Sequence, residues 1–106
     1  PFPTNSRAAA TKLKITFADG TILDDRKASV AFAKAIEKIG IERVRALQIV
    51  SNTVPLISTT KHEFYGQNQV DNYYVMTNTD TKGKKATLEQ IANALGITLD
   101  VQIIPK

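Results

Sequence analysis

The chain of 106 residues contains no cysteine and no tryptophan, and it has a single histidine. Without cysteine there is no disulfide framework and no thiolate metal site, and one histidine does not supply a conventional zinc cluster. The missing cysteines fit a reducing compartment, so we expect a cytoplasmic location. No apolar run approaches the roughly 18 residues that a membrane-spanning helix needs. No membrane partner and no cofactor are therefore predicted.

The composition is that of an ordinary globular domain, with 42% hydrophobic and 23% charged residues and a net charge of +4. A chain of this length fits one domain with its own core. The mild positive charge is compatible with a polyanionic partner. Residues 1–11 show no strand or helix periodicity, and we interpret them as a mobile N-terminal arm or a remnant left by cloning. A single domain is expected over residues 12–106.

The first regular pattern predicts a β-hairpin. Leu13, Ile15 and Phe17 alternate with polar residues, which is the period of a half-buried strand. Asp19-Gly20 follows, and this dipeptide between apolar runs favours a two-residue type I′ turn. Such a turn would pair Phe17 with Ile22 on one face.

Two amphipathic helices follow from apolar residues at helical spacing, with one more short helical segment over residues 42–47. Gly40 ends the first helix, and Thr87 with Gln90 forms a capping box at the start of the second. The two apolar stripes consist of Phe32, Ile36 and Ile39, and of Leu88, Ile91, Ala92 and Leu95.

The remaining segments read as strands. Residues 48–58 predict two short strands, of which the one with Pro55 is an edge strand or is interrupted there. Residues 60–78 predict a second hairpin with an irregular tip, and residues 97–103 alternate as a terminal strand. We therefore expect an α+β fold: a mostly antiparallel sheet of about five or six strands with two helices packed on one face, in the order β-β-α-β-β-β-α-β.

The stretch TLEQIANALGIT, residues 87–98, resembles the first half of the helix-turn-helix in bacterial repressors. That motif continues from its Gly through a tight turn into a recognition helix. Here the Gly is followed by ITLDVQIIPK, which has strand periodicity. The sequence therefore predicts a capped helix and a strand, without a recognition helix.

A lysine-rich segment precedes the second helix. We predict a polar turn there, in which Lys82, Lys84 and Lys85 could make nonspecific phosphate contacts near free helix N–H groups. The segment is not a Walker motif, because Asn78 and Lys85 occupy the positions that require Gly and Ser or Thr.

Two enzymatic interpretations have weaker support. Asp71 and the run Asp80-Thr81-Lys82 loosely resemble the acidic and Asp-x-Lys elements of restriction-type nucleases, in which two carboxylates would hold Mg²⁺. A Ser-His-Asp hydrolase is disfavoured because no serine lies in a Gly-x-Ser-x-Gly context. His62 is interpreted as an ordinary surface histidine.

The segment KHEFYGQNQVDNYY, residues 61–74, interleaves aromatic side chains with amides. Aromatic faces can stack on bases while amides bond to their edges, although the same composition is typical of an exposed hairpin. Basic residues elsewhere could extend this segment into one surface. The predicted nucleic-acid-binding residues are Lys12, Lys14, Lys61, Tyr65, Asn68, Tyr73, Lys82, Lys84 and Lys85.

Together these patterns favour a small noncatalytic binding or accessory domain, with single-stranded nucleic acid or distorted duplex as the favoured ligand. The alternative is a protein-interaction or oligomerisation module, in which the edge strand near Pro55 or the C-terminal strand pairs with a partner. A metal-dependent nuclease is the third hypothesis. The nucleic-acid hypothesis requires the basic and aromatic residues to share one face.

Overall fold

The computed structural model describes residues 11–51, 53–63 and 65–105. Over these ranges the chain is a mixture of helices and antiparallel strands, which confirms the predicted α+β class. The predicted arm lies outside the described residues, except that Thr11 already belongs to the first strand. The elements are β1 (Thr11–Phe17), β2 (Ile22–Leu23), α1 (Ala28–Ile39), α2 (Ile41–Ala46), β3 (Val50–Ser51), β4 (Val54–Pro55), β5 (Ile57–Ser58), β6 (Gln67–Val70), β7 (Tyr73–Met76), α3 (Thr81–Leu95) and β8 (Leu99–Pro105).

The two longest strands, β1 and β8, form a three-stranded sheet with β2 in the order β2-β1-β8. β1 and β8 are antiparallel and pair without interruption from Thr11 opposite Pro105 to Phe17 opposite Leu99. α1 and α3 pack on one face of this sheet. The helix-facing side chains include Leu13 and Ile15, which have no exposed surface.

The turn between β1 and β2 differs from the predicted type I′ turn. Gly20 N donates to Phe17 O at 3.0 Å, and Phe17 N donates to Thr21 O at 2.8 Å. Only Gly20 in this turn has a positive φ, of 93°. These features define a three-residue loop, a type I turn followed by a glycine bulge. Thr16 therefore pairs with Ile22, and the predicted pairing of Phe17 with Ile22 is wrong by one residue.

The other strands lie in two smaller sheets, rather than in the single sheet that was predicted. β3 and β4 pair only with each other among the described residues, and β5, β7 and β6 form a second three-stranded sheet in that order. α1 contacts both β1 and β6, so this helix lies between the two three-stranded sheets. Positive φ angles at Gln48 and Thr53 redirect the backbone around β3, where a continuous strand would not allow them.

α3 begins earlier than the sequence pattern predicted. Asp80 is its N-cap and accepts a hydrogen bond from Gly83 N at 2.7 Å. Thr87 lies inside the helix and donates to Gly83 O, so the predicted capping box is wrong. Gly96 ends the helix with φ of 66° and the chain enters β8, as predicted, without a recognition helix.

One hydrophobic cluster connects these elements. Phe32 and Ile36 of α1, Leu88 and Ile91 of α3, and Val75 of β7 are all at most 1% exposed. These side chains belong to the predicted helical stripes and to the second hairpin. No helix within residues 11–51, 53–63 and 65–105 is both long and apolar enough to cross a bilayer.

Gly20→Ala tests the turn. No atom lies within 4 Å of a Cβ built at Gly20, so the cost should come from its positive φ alone. A side chain in this backbone region costs about 1–2 kcal/mol. We expect urea denaturation to show that loss in the free energy of unfolding. Gly66→Ala is the matched control, because its Cβ would also meet nothing within 4 Å and its φ is not positive. Equal losses in both variants would contradict the assigned turn.

Candidate functional site

Lys12 and Lys14 lie half-buried on the face of the β1 sheet that points away from α1 and α3. Their cross-strand partners on this face are Ile104 and Gln102 of β8. Lys12 Nζ donates to Asp24 O at 3.2 Å, while Lys14 makes no ion pair or hydrogen bond among the described residues. The two lysines thus share one face, as the strand periodicity predicted.

The other predicted lysine cluster is not in a turn. Lys82, Lys84 and Lys85 belong to the first turns of α3, and their side chains leave the helix in different directions. Lys82 is exposed, whereas Lys85 forms an ion pair with Glu89 at 3.5 Å. The prediction of a flexible, lysine-rich turn is therefore wrong.

Lys84 is only 4% exposed, and its ammonium donates to the carbonyl oxygen of Thr79. Burial lowers the pKa of Lys84 below its ordinary value, and the nearby Asp80 carboxylate partly opposes that shift. A side chain held in this way is not available to contact phosphate. The prediction that Lys84 belongs to an exposed basic surface is therefore wrong, because the segment is helical and the side chain is buried.

The N-terminus of α3 is also occupied. The Asp80 carboxylate bonds to the backbone N–H of Gly83, where an external anion would otherwise bind. This contact supplies a negative charge at the positive end of the helix from within the chain. The helix end therefore gives no support to the predicted phosphate contact.

Tyr73 is engaged by two charged residues of α2. Its hydroxyl donates to the Glu42 carboxylate, and the Arg45 guanidinium carbon lies 5.2 Å from the centre of its ring. The hydrogen bond to Glu42 is the main cause that raises the pKa of Tyr73 above its ordinary value. One face of this ring is thus covered by Arg45, which reduces the surface left for stacking on a base.

The segment before β6 is organised around His62. Its ring stacks on Tyr65 with centroids 4.7 Å apart, and His62 Nδ1 accepts from Tyr65 N at 3.3 Å. Asn68 Oδ1 accepts from Thr77 Oγ1 at 3.0 Å, which joins β6 to the end of β7. Lys61 is exposed at the start of this segment. Phe64, part of the predicted aromatic group, lies outside the described residues.

The predicted basic and aromatic residues do not form one surface. Lys12 and Lys14 point away from α1, and α1 itself lies between their sheet and the sheet that holds Tyr73 and Asn68. Tyr65 lies on the chain just before that second sheet. The helix layer therefore separates these two lysines from the tyrosines, and the requirement stated for the nucleic-acid hypothesis is not met.

The two carboxylates of the nuclease hypothesis lie beyond opposite ends of β7. Asp71 is in the turn before β7, with φ of 52°, and Asp80 caps α3 after it. A strand of four residues spans about 13 Å at 3.3 Å per residue, which is too far for two ligands of one Mg²⁺ ion. Nor do three or more His, Asp or Glu side chains among the described residues form a metal-binding group.

An open depression of about 590 Å³ lies between α2 and the strands β3, β4 and β5. Val44, Ile49 and Leu56 form its buried apolar part, and Val50 on its rim is 64% exposed. Glu42 and Arg45, the charged partners of Tyr73, also line it. Sequence periodicity gave no sign of this depression, because it forms where short elements from 42–57 fold back on one another.

The outer edge of β8 has no strand partner within residues 11–51, 53–63 and 65–105. β8 pairs with β1 on one side, and no described strand pairs with it on the other. Because Phe17 bonds to Thr21 across the hairpin, alternate residues of β1, including Lys14, direct their backbone groups towards β8. The backbone N–H and C=O groups of their partners Asp100, Gln102 and Ile104 are thereby hydrogen-bonded to β1. The backbone N–H and C=O groups of Leu99, Val101 and Ile103 point outward.

Comparisons of the chain with protein-family models, with curated proteins and with solved structures find no match.

Lys84→Met tests the burial of the ammonium group. Because folding lowers its pKa, the unfolded chain binds more protons at Lys84 between the folded pKa and the ordinary value of 10.5. The contribution of Lys84 to stability must therefore rise with pH through that window. We expect urea denaturation to show that the stability of the wild type, minus that of Lys84→Met, increases from neutral pH towards 10.5. Lys82→Met controls for the loss of a lysine from the same helix end, and a flat difference for Lys84→Met would contradict the burial.

Proposed function

We propose that this chain is a small noncatalytic binding domain that accepts a β-strand of a protein partner along the outer edge of β8. The open edge is the observation that supports this function. In the part of the chain that the structure describes, the backbone donors and acceptors of Leu99, Val101 and Ile103 on this edge have no strand partner, and such a row is the template that β-augmentation uses. We also propose that the protein acts in the cytoplasm, which is the location expected from the absence of cysteine.

The edge of β8 has few features that discourage strand addition. Its pairing with β1 has no bulge, and the described part of the strand contains neither lysine nor an internal proline. Proteins that protect an exposed edge commonly use those features. Pro105, which ends the strand, limits how far a partner strand can pair. The short strand near Pro55, the other predicted edge, offers only two residues.

A strand peptide provides the test. We expect a short capped peptide of alternating valine and threonine, added to ¹⁵N-labelled protein, to shift the amide signals of Leu99, Val101 and Ile103 more than those of Asp100 and Gln102. The physical reason is that only the first three N–H groups point to the open edge.

Ile103→Pro should abolish these shifts, because proline removes one outward N–H and leaves the β1 side of the ladder intact. Ile22→Pro is the matched control. Ile22 is also an exposed apolar residue, with an exposed fraction of 51% against 36% for Ile103. Its pairing with Thr16 directs its N–H to the opposite edge of the same sheet. Shifts that persist in Ile103→Pro, or that map away from β8, would overturn the proposal.

Nucleic-acid binding is the second candidate, supported by lysines without a partner. Lys14, Lys61 and Lys82 form no ion pair or hydrogen bond among the described residues, and the chain has a net charge of +4. In this form the proposal rests on phosphate contacts, because α1 separates Lys14 from the tyrosines. Binding would accordingly be electrostatic and depend strongly on salt.

The double substitution Lys12→Gln/Lys14→Gln tests this second candidate. If both lysines contact phosphates, fluorescence anisotropy should show weaker binding to labelled single-stranded DNA, duplex DNA or RNA, and the salt slope should fall by about 2. Lys34→Gln/Lys38→Gln is the control with the same loss of charge, because these lysines pair with Asp25 and Asp19 on α1's side of the molecule. Nucleic-acid binding would be contradicted if the two double variants lost the same affinity, or if the wild type did not bind at low salt.

A further inference from the structure

We propose that the strand accepted by β8 is β8 of a second copy of this chain, joined about a two-fold axis at Val101. This inference rests on the proposed function, because it names the partner of the same edge. The β2-β1-β8 sheet of one molecule and the β2-β1-β8 sheet of the other thereby become one continuous antiparallel sheet. The helices of both copies then lie on the same side of that sheet, because the axis is perpendicular to it.

The backbone of β8 is self-complementary in this register. Val101 faces Val101 of the second copy, and Leu99 faces Ile103 of that copy. All of these residues direct their N–H and C=O groups outward, so each pair exchanges both hydrogen bonds of an antiparallel ladder. With the axis at Gln102 instead, Leu99 would face Pro105, which has no N–H to donate. The axis at Val101 therefore satisfies the Leu99 carbonyl, which the axis at Gln102 would leave without a donor.

The side chains on the helix-facing side also fit a second copy. Ile103 is 36% exposed, and in this register it lies across the edge from Leu99 of the other molecule. Leu99 borders a depression of about 410 Å³ between α3 and β8, lined also by Ala92 and Ile97 and by the polar residues Glu89, Asn93 and Thr98. The apolar contact across the edge is therefore the one between Ile103 and Leu99.

The other face of the strand avoids a clash of like charges. Asp100 is the one charged residue in the described part of β8, and its carboxylate already accepts from Gln102 Nε2 at 3.1 Å. About an axis at Val101, Asp100 faces Gln102 of the second copy, not Asp100. Each carboxylate then lies beside two amide donors. A second copy therefore matches β8 in backbone pattern, in apolar contact and in charge.

Disulfide trapping tests both the partner and the register, because the chain has no cysteine of its own. Asp100 and Gln102 of two copies form a pair without backbone hydrogen bonds, with Cα atoms about 4.5 Å apart. That separation lies within the range of roughly 4.4–6.8 Å for a disulfide. Equal amounts of the Asp100→Cys and Gln102→Cys proteins, oxidised together, should give a strong crosslinked dimer.

Each variant oxidised alone should crosslink far less, since identical positions are diagonal neighbours about 7–8 Å apart. Efficient crosslinking of Gln102→Cys alone would move the axis to Gln102 and overturn the register. Sedimentation equilibrium of the cysteine-free protein gives the second readout. We expect a dimer that Ile103→Pro dissociates and Ile22→Pro leaves intact.

The outcomes separate this inference from the proposed function. A protein that stays monomeric at high concentration, with no crosslink in the mixture, overturns the second copy as partner. If the valine and threonine peptide still shifts the edge amides of that monomer, the strand-accepting function stands. If the peptide also fails, both are overturned.

Discussion

The uninterrupted ladder between β1 and β8 is the constraint on which the rest of the structure depends. It joins the two ends of the described chain, with Thr11 opposite Pro105, and it thereby closes the longest loop within that part of the chain. The buried side chains of this ladder, among them Leu13 and Ile15, form the surface on which α1 and α3 pack. A hydrogen bond between Thr11 and Thr81, 2.8 Å long, also ties the start of β1 to the start of α3.

The same ladder decides which functional surface can form. Successive side chains of a strand point to opposite faces, so the register that buries Leu13 and Ile15 turns Lys12 and Lys14 away from the helices. α1 packs on the buried face and separates it from the sheet that holds Tyr73. A joint surface of these lysines and tyrosines would need β1 to slip by one residue. Such a slip would expose the core.

Sequence periodicity predicted the structure correctly where the local pattern agrees with burial in the folded chain. The alternation in β1 and β8 and the stripe of Phe32 and Ile36 in α1 all have the predicted spacing. The α+β class follows from them. The C-terminal strand, one of the two strands considered for pairing with a partner, is an outer strand of its sheet, although the pattern did not show which of its backbone groups point outward.

The errors arose where contacts distant in sequence override local preference. The sequence around Gly83 and its neighbouring lysines is typical of a loop. The Asp80 cap and the burial of Lys84 instead make this segment the start of α3. Asp19-Gly20 fits two kinds of hairpin turn, and the register shared by β1, β2 and β8 selects the three-residue loop. The hydrogen bond from Tyr73 to Glu42 joins residues of β7 and α2, so no local pattern could predict it.

The open edge follows from the lengths of the strands. β2 pairs with only two residues of β1, whereas β8 pairs with seven, so β8 is the longer of the two outer strands of this sheet. Adding a lysine to its helix-facing side would protect that edge but would place a charge against the apolar residues beneath α3. The residues Leu99, Val101 and Ile103 that pack β8 onto α3 are therefore the same residues whose backbone groups would pair with the proposed partner strand. Under the proposed function, the stability of the domain and its association with a strand depend on the same short segment. A substitution that closes the edge should therefore alter the backbone, as proline does, rather than the buried side chains.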